Sequence, residues 1–178
     1  MLTDPSVSIQ SFALSALSHM LVAQKAHGAP ADSVAGATAA CTPFLTSPDA
    51  RVAMTAIACL EASRAESVAE PLARAFVAHS SVDVKSAAVT LLAKIPSAPV
   101  DQATLEEMAA FLHTPLTPKW TLNEVQAREM ACVVFSQRAR GAPWAEEGAR
   151  VAAKTMQRWG GSNGQNSPPS CASFLKLK

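Results

Sequence analysis

The sequence predicts an all-α protein of about eight helices, and three observations carry that prediction. Of the 178 residues 49% are hydrophobic, yet only 5% are aromatic and Tyr is absent, so the interior must be built mainly from Ala, Val and Leu. That palette suits close helix-on-helix contact, because Ala has the best helix propensity and lets backbones approach. Apolar residues recur at helical spacing, as between Ser80 and Pro96, where Val84, Ala88, Leu91, Leu92 and Ile95 share one face. Strand signals are missing: there is no sustained period-two alternation and no Asn-Gly turn between apolar runs.

Turn signals set the elements in order. The segments HGAPAD at 27–32, TSPD at 46–49, HSS at 79–81, PSAP at 96–99, TPLTPKW at 114–120 and RGAP at 140–143 break the helical pattern. Helices are expected over 5–24, 32–45, 48–62, 66–79, 82–95, 101–113, 121–139 and 143–159. Asp4 before Pro5, and Ser47 before Pro48 and Asp49, put a side-chain acceptor beside a Pro in the first turn. Asp32 and Asp101 are candidate caps, and Thr121 with Glu124 three residues on forms a capping box. After Trp159 the composition turns to Gly, Ser, Asn and Pro, which predicts a domain over 1–159 and a flexible tail over 160–178.

Four of these helices can be superimposed. Starting from Ile9, Val52, Val84 and Val125, positions 0, +4, +7 and +8 read Ile9, Ala13, Ala16, Leu17; Val52, Ala56, Cys59, Leu60; Val84, Ala88, Leu91, Leu92; and Val125, Glu129, Cys132, Val133. The starts lie 43, 32 and 41 residues apart, leaving room for one further helix between successive starts. This is the layout of antiparallel helix pairs that cannot bury their apolar faces alone and must stack on neighbours, an α-solenoid.

On these residues the chain resembles the HEAT and armadillo-like repeat family. The closest unit runs from SVAEPLARAFVAH into SSVDVKSAAVTLLAKI: a first helix with the internal Pro71, a tight turn, then a second helix opening with Val84-Lys85 where the family favours Val-Arg. CTPFLTSPDARVAMTAIACL is similar but shorter, with Pro43 and Asp49 in comparable places. The resemblance covers about residues 4–139 and implies an architecture rather than an activity. Three departures stand out: the 32-residue interval is short, Glu129 replaces a small residue, and the first unit lacks its first helix. The last implies a fragment of a longer array, a divergent cap, or an end completed by a partner.

Charge and chemistry narrow the function classes. The formal net charge is +1 and only 16% of residues are charged, which disfavours a protein whose task is to grip phosphate backbones. The balance is uneven: residues 1–118 hold 6 Lys/Arg against 10 Asp/Glu, residues 119–178 hold 9 against 4. Cys41, Cys59, Cys132 and Cys171 form no Cys-x-x-Cys pair, and the first three fall in helical patterns, where Cys usually acts as a small buried hydrophobe. That reading places the chain in a reducing compartment, the cytoplasm, with cytoskeletal association an option. The apolar run from Ile9 to Ala23 has no preceding basic residue and is interrupted by Ser and His, so neither a signal peptide nor a membrane span is expected.

No catalytic constellation, metal set or cofactor motif stands out. His19, His27, His79 and His113 never fall three or four residues from another His or Cys, and each is followed by Met, Gly, Ser or Thr. His79 and His113 close first helices, where a cation suits the helix dipole. The Gly-rich run at 160–167 follows no strand, so it is no phosphate cradle. The expectation is therefore a non-enzymatic protein–protein interaction scaffold or adaptor, a subunit of a larger assembly. Its candidate partner-binding residues are Lys85 on a second helix, Lys119 and Trp120 in the long turn, and the stripe Arg150, Lys154 and Arg158 on the last helix. Tubulin-binding members of the family use Trp and basic residues on such turns, so the resemblance offers a microtubule-binding module as an alternative. A nucleic-acid binder using the basic C-terminal third is a further, less favoured one. The row at +5, Leu14, Ile57, Val89 and Met130, is either inter-repeat packing or a groove for an amphipathic helix.

Overall fold

The computed structural model describes residues 2–27, 31–63, 65–115, 121–159 and Cys171; the side chains of residues 25, 31–33 and 156–159 are outside that description. Among the described residues there are eight α-helices and no strand. They are α1 (Val7–Ala26), α2 (Ala31–Cys41), α3 (Ala50–Ser63), α4 (Ala69–Ala78), α5 (Val82–Ala93), α6 (Gln102–His113), α7 (Leu122–Arg138) and α8 (Pro143–Trp159). The expected tail, 160–178, lies outside the described residues apart from Cys171.

The helix starts follow their local chemistry. The Asp49 carboxylate accepts the Arg51 and Val52 amides, Asp4 accepts that of Ser6, and Thr121 Oγ1 accepts that of Glu124. Asp101 does not cap its own helix; the Glu70 carboxylate reaches across from α4 and accepts the Asp101 amide and the Thr104 hydroxyl. Proline sets two boundaries. The helix expected over 32–45 stops at Cys41 and continues as a 3-10 turn over Thr42–Thr46, because Pro43 has no N–H for the α ladder. A second 3-10 turn, Glu66–Val68, leads into α4, where Pro71 sits in the first turn and its missing N–H would have had no partner.

The helices pack in two rows. In one, α1 meets α3, α3 meets α5 and α5 meets α7; in the other, α4 meets α6 and α6 meets α8. Chain neighbours cross between the rows, α2 on α3, α4 on α5 and α6 on α7. The core between them is Ala, Val and Leu with few aromatics, among them Phe76 edge-on to Phe111 at 5.0 Å and Phe135 edge-on to Trp144 at 5.7 Å. The stripes expected on α3 and α5 are buried in full: Val52, Ala56, Cys59 and Leu60, then Val84, Ala88, Leu91 and Leu92.

Two stripes depart from expectation. On α7 the buried set is Ala127, Ala131, Cys132, Val134 and Phe135, while Val125, Glu129 and Val133 are only half-buried. The equivalent of Val84 is therefore Ala127, two residues later than the spacing implied. With that shift the small residue at +4 is Ala131, Glu129 moves off the buried stripe, and Arg128 becomes the counterpart of Lys85. On α1, Ala13 and Leu14 are buried but Ile9 and Ala16 are exposed. In α3 and α5 these positions are covered; α1 has no helix before it among the described residues.

The cysteines correct the free-thiol reading. Cys41 is bonded to Cys59, tying α2 to α3, and Cys132 is bonded to Cys171, tying the C-terminal segment to α7. All four are fully buried, an environment the sequence made legible for Cys41, Cys59 and Cys132. Their pairing was not, because each bond joins residues 18 or 39 positions apart that only helix packing brings together.

Candidate functional site

The described surface most suited to a partner is a groove across α3, α5 and α7, the row whose helices lie side by side. It encloses about 280 Å³. Its floor is apolar, from Ile57 and Leu91, which are nearly buried, and its rim carries the exposed Met54. Polar rungs join neighbouring helices along it. Lys94 Nζ meets Glu61 Oε1 at 2.5 Å between α5 and α3, Asn123 Nδ2 donates to Asp83 Oδ1 at 2.7 Å between α7 and α5, and Gln126 Nε2 donates to Thr90 Oγ1 at 3.5 Å. A second hollow of about 310 Å³ at Glu61, Leu91, Lys94 and Ile95 extends the groove toward the C-terminal end of α5.

Electrostatically the groove is mildly acidic. Glu61 and Lys94 neutralise one another, whereas Asp83 is held by a neutral amide and keeps its charge uncompensated there. A larger cleft of about 460 Å³ lies on the opposite row, lined by Thr46, Arg74, Asp101, Thr104 and Glu107. Several of its polar groups are used internally: Glu70 holds Arg74, Thr104 and the Asp101 amide together as the tie between α4 and α6.

The candidate residues read from the sequence do not converge. Lys85 points away from the groove: its Nζ donates to Phe76 O at 2.5 Å and Val77 O at 3.0 Å, and stands 5.4 Å from the centroids of Phe76 and Phe111. It closes the C-terminal end of α4, where a cation meets the negative end of the dipole. Burial pushes its pKa down from the ordinary lysine value. Arg150 and Lys154 lie exposed on α8, opposite the buried Ala149 and Ala152, and Arg150 pairs with Glu147. The Arg158 side chain, Lys119 and Trp120 lie outside the described residues. Leu14, Ile57 and Val89 of the +5 row are buried and Met130 is half-buried, so this row packs between helices and only Ile57 of it reaches the groove.

Arg128 was missed altogether. A long cation in a helix reads as solvated, yet Arg128 is fully buried. Its guanidinium donates to Leu112 O at 3.1 Å and Thr114 O at 2.9 Å, pairs with Glu124 at 3.5 Å, and lies 4.9 Å over the Phe111 ring. Burial lowers its pKa, against which the Glu124 charge and hydrogen bond work. Arg138 does comparable work, donating to Ile95 O and Ala98 O after the end of α5. The signal that would have found Arg128 is its equivalence to Lys85, hidden by the two-residue shift in α7.

His79 departs from the dipole role in detail. It is buried just after α4, its Nδ1 accepts the Ser81 amide, and its Nε2 faces Ser47 O at 3.0 Å. Its ring therefore ties the turn after α4 to the turn before α3. Among the described residues no cluster of His, Cys, Asp or Glu could hold a metal ion, and no helix is long and apolar enough to cross a membrane. No family model, curated protein or solved structure matches the chain.

Proposed function

We propose that the chain is a protein-interaction scaffold, a short HEAT-like stack of helix pairs forming an α-solenoid, that binds a partner segment in the groove across α3, α5 and α7. The observation that carries this reading is the groove itself, an apolar floor with a polar rim built from three successive helices of one row. Supporting it, once Val52, Val84 and Ala127 are aligned, α3, α5 and α7 all bury the residues at that position and at +4, +5, +7 and +8. The chemistry fits an amphipathic helix or extended segment that buries its apolar side chains on Ile57 and Leu91 and sets a Lys or Arg against Asp83.

The test is affinity purification of the tagged chain from its own cells, run in parallel with a Met54→Asp, Thr90→Arg double variant. Both substituted residues line the groove without belonging to the buried core. Partners retained by the wild type and lost by the variant support the assignment. Partners retained equally by both remove the groove, and no partner at all removes the scaffold.

The disulfides bear on compartment. A cytoplasmic location follows only from free thiols, whereas two buried disulfides favour an oxidising compartment. Counting free thiols on the protein purified under thiol-blocking conditions separates the two, four for the first and none for the second.

A further inference from the structure

α1 is built like the row-forming helices α3, α5 and α7, but only one of its sides is covered. Leu14 and Leu21 are buried against the rest of the molecule. On the opposite side Ile9 is 38%, Phe12 68% and Met20 54% exposed, with Ala16 and Ala23 exposed between and beside them. At helical spacing Ile9, Phe12, Ala16, Met20 and Ala23 form one continuous stripe. Scattered apolar residues on a surface are ordinary, but an unbroken apolar stripe along a whole helix is an interaction surface.

We propose that this stripe pairs with α1 of a second copy, antiparallel, with the two-fold axis at Ala16. The spacing is self-complementary: about that axis Phe12 of each copy faces Met20 of the other, and Ile9 faces Ala23. Ala16 meeting Ala16 lets the two helices approach closely at the centre. Charge selects the same partner. No Asp, Glu, Lys or Arg lies between Pro5 and Gln24, so a two-fold interface brings no like charges of these residues together. Parallel pairing would place like ends and like helix dipoles side by side. The contact also continues the row, adding a helix to the side of α1 that meets none among the described residues.

A membrane surface fits less well, because helices that lie on lipid flank their apolar face with Lys and Arg, and α1 flanks its own with Ser, Gln and the exposed His19. Size sets the strength. A 20-residue helix is about 30 Å long and 10 Å wide, a strip of roughly 300 Å² per copy. That is well below the roughly 800 Å² per partner of a standard interface, so the dimer is a weak, reversible one. This inference does not depend on the groove.

Sedimentation velocity of the full chain from about 1 to 300 μM tests it. The expected result is a concentration-dependent shift from the 18.6 kDa monomer to twice that mass. Phe12→Glu and Met20→Glu, both on the exposed stripe, should each weaken the dimer at least tenfold while leaving the circular dichroism spectrum unchanged. Ala16→Cys should be linked to itself by a short bismaleimide, and Ser8→Cys should not. A monomer at every concentration overturns the proposal, as does a dimer insensitive to Phe12→Glu. Binding of the wild type, but not of Phe12→Glu, to phosphatidylcholine–phosphatidylserine vesicles in place of self-association would also overturn it, assigning the stripe to lipid.

Discussion

Lys85 on α5 and Arg128 on α7 occupy the same position in successive helix pairs and do the same job under different conditions. Each reaches back to the carbonyl end of the helix before it, Lys85 to Phe76 and Val77 in α4, Arg128 to Leu112 in α6 and Thr114 just after it. Both also stand over Phe111. Lys85 is half-buried and meets only carbonyls and rings, whereas Arg128 is fully buried and carries its own carboxylate, Glu124. The difference shows how far a stack of small aliphatic helices can go in sealing its helix ends. Where water still reaches the cation a Lys suffices; where it does not, the planar guanidinium and a counter-ion are required.

The largest effect that would break this comparison is expected from Arg128→Ala, which leaves Glu124 without its cation and the α6 carbonyls unsatisfied. A loss of about 4 kcal/mol, or roughly 8–16 °C in Tm, should appear in thermal unfolding. A loss near that of a surface site would show that Arg128 is tolerated rather than needed. Removing the disulfide one helical turn away, by Cys132→Ser with Cys171→Ser, releases a 39-residue loop and should lower Tm by roughly 6–12 °C, for about 3 kcal/mol. Hydrogen exchange should quicken in α7 while α4 and α5 keep their protection, since that bond touches neither.

Smaller changes sharpen the contrast. Lys85→Ala removes two hydrogen bonds from a position water can still enter, so a loss of about 1.5 kcal/mol and roughly 3–6 °C is expected from the same melts. Lys85→Arg keeps the charge and both donors and should stay within about 0.5 kcal/mol of the wild type by urea titration. A large penalty for Lys85→Arg would mean that the two sites are not interchangeable in kind.

Most of the helices were legible because the chain punctuates itself. The Asp49 and Thr121 caps and the RGAP turn act within a few residues, and local chemistry of that range can be read without knowing the neighbours. The buried faces of α3 and α5 were equally plain, since their stripes alternate small and large residues with nothing to confuse them. On α7 the same reading slipped by two positions, because Val125 and Val133 looked more like core than Ala127 and Arg128 did. The groove, by contrast, was only half visible: Ile57 belonged to a row read as packing or a groove, but Glu61, Asp83 and Lys94 joined it through contacts between helices about 30 to 40 residues apart in the chain.

Composition and spacing alone determined that this chain is helical and roughly where its helices fall. Helix formation depends on groups no more than about four residues apart, and the sequence displays those directly. Tertiary structure decided which cysteines bond, that an arginine lies in the core, and that one side of α1 is left uncovered. Each of these depends on which distant helix arrives beside the residue, and that is settled only when the rows pack.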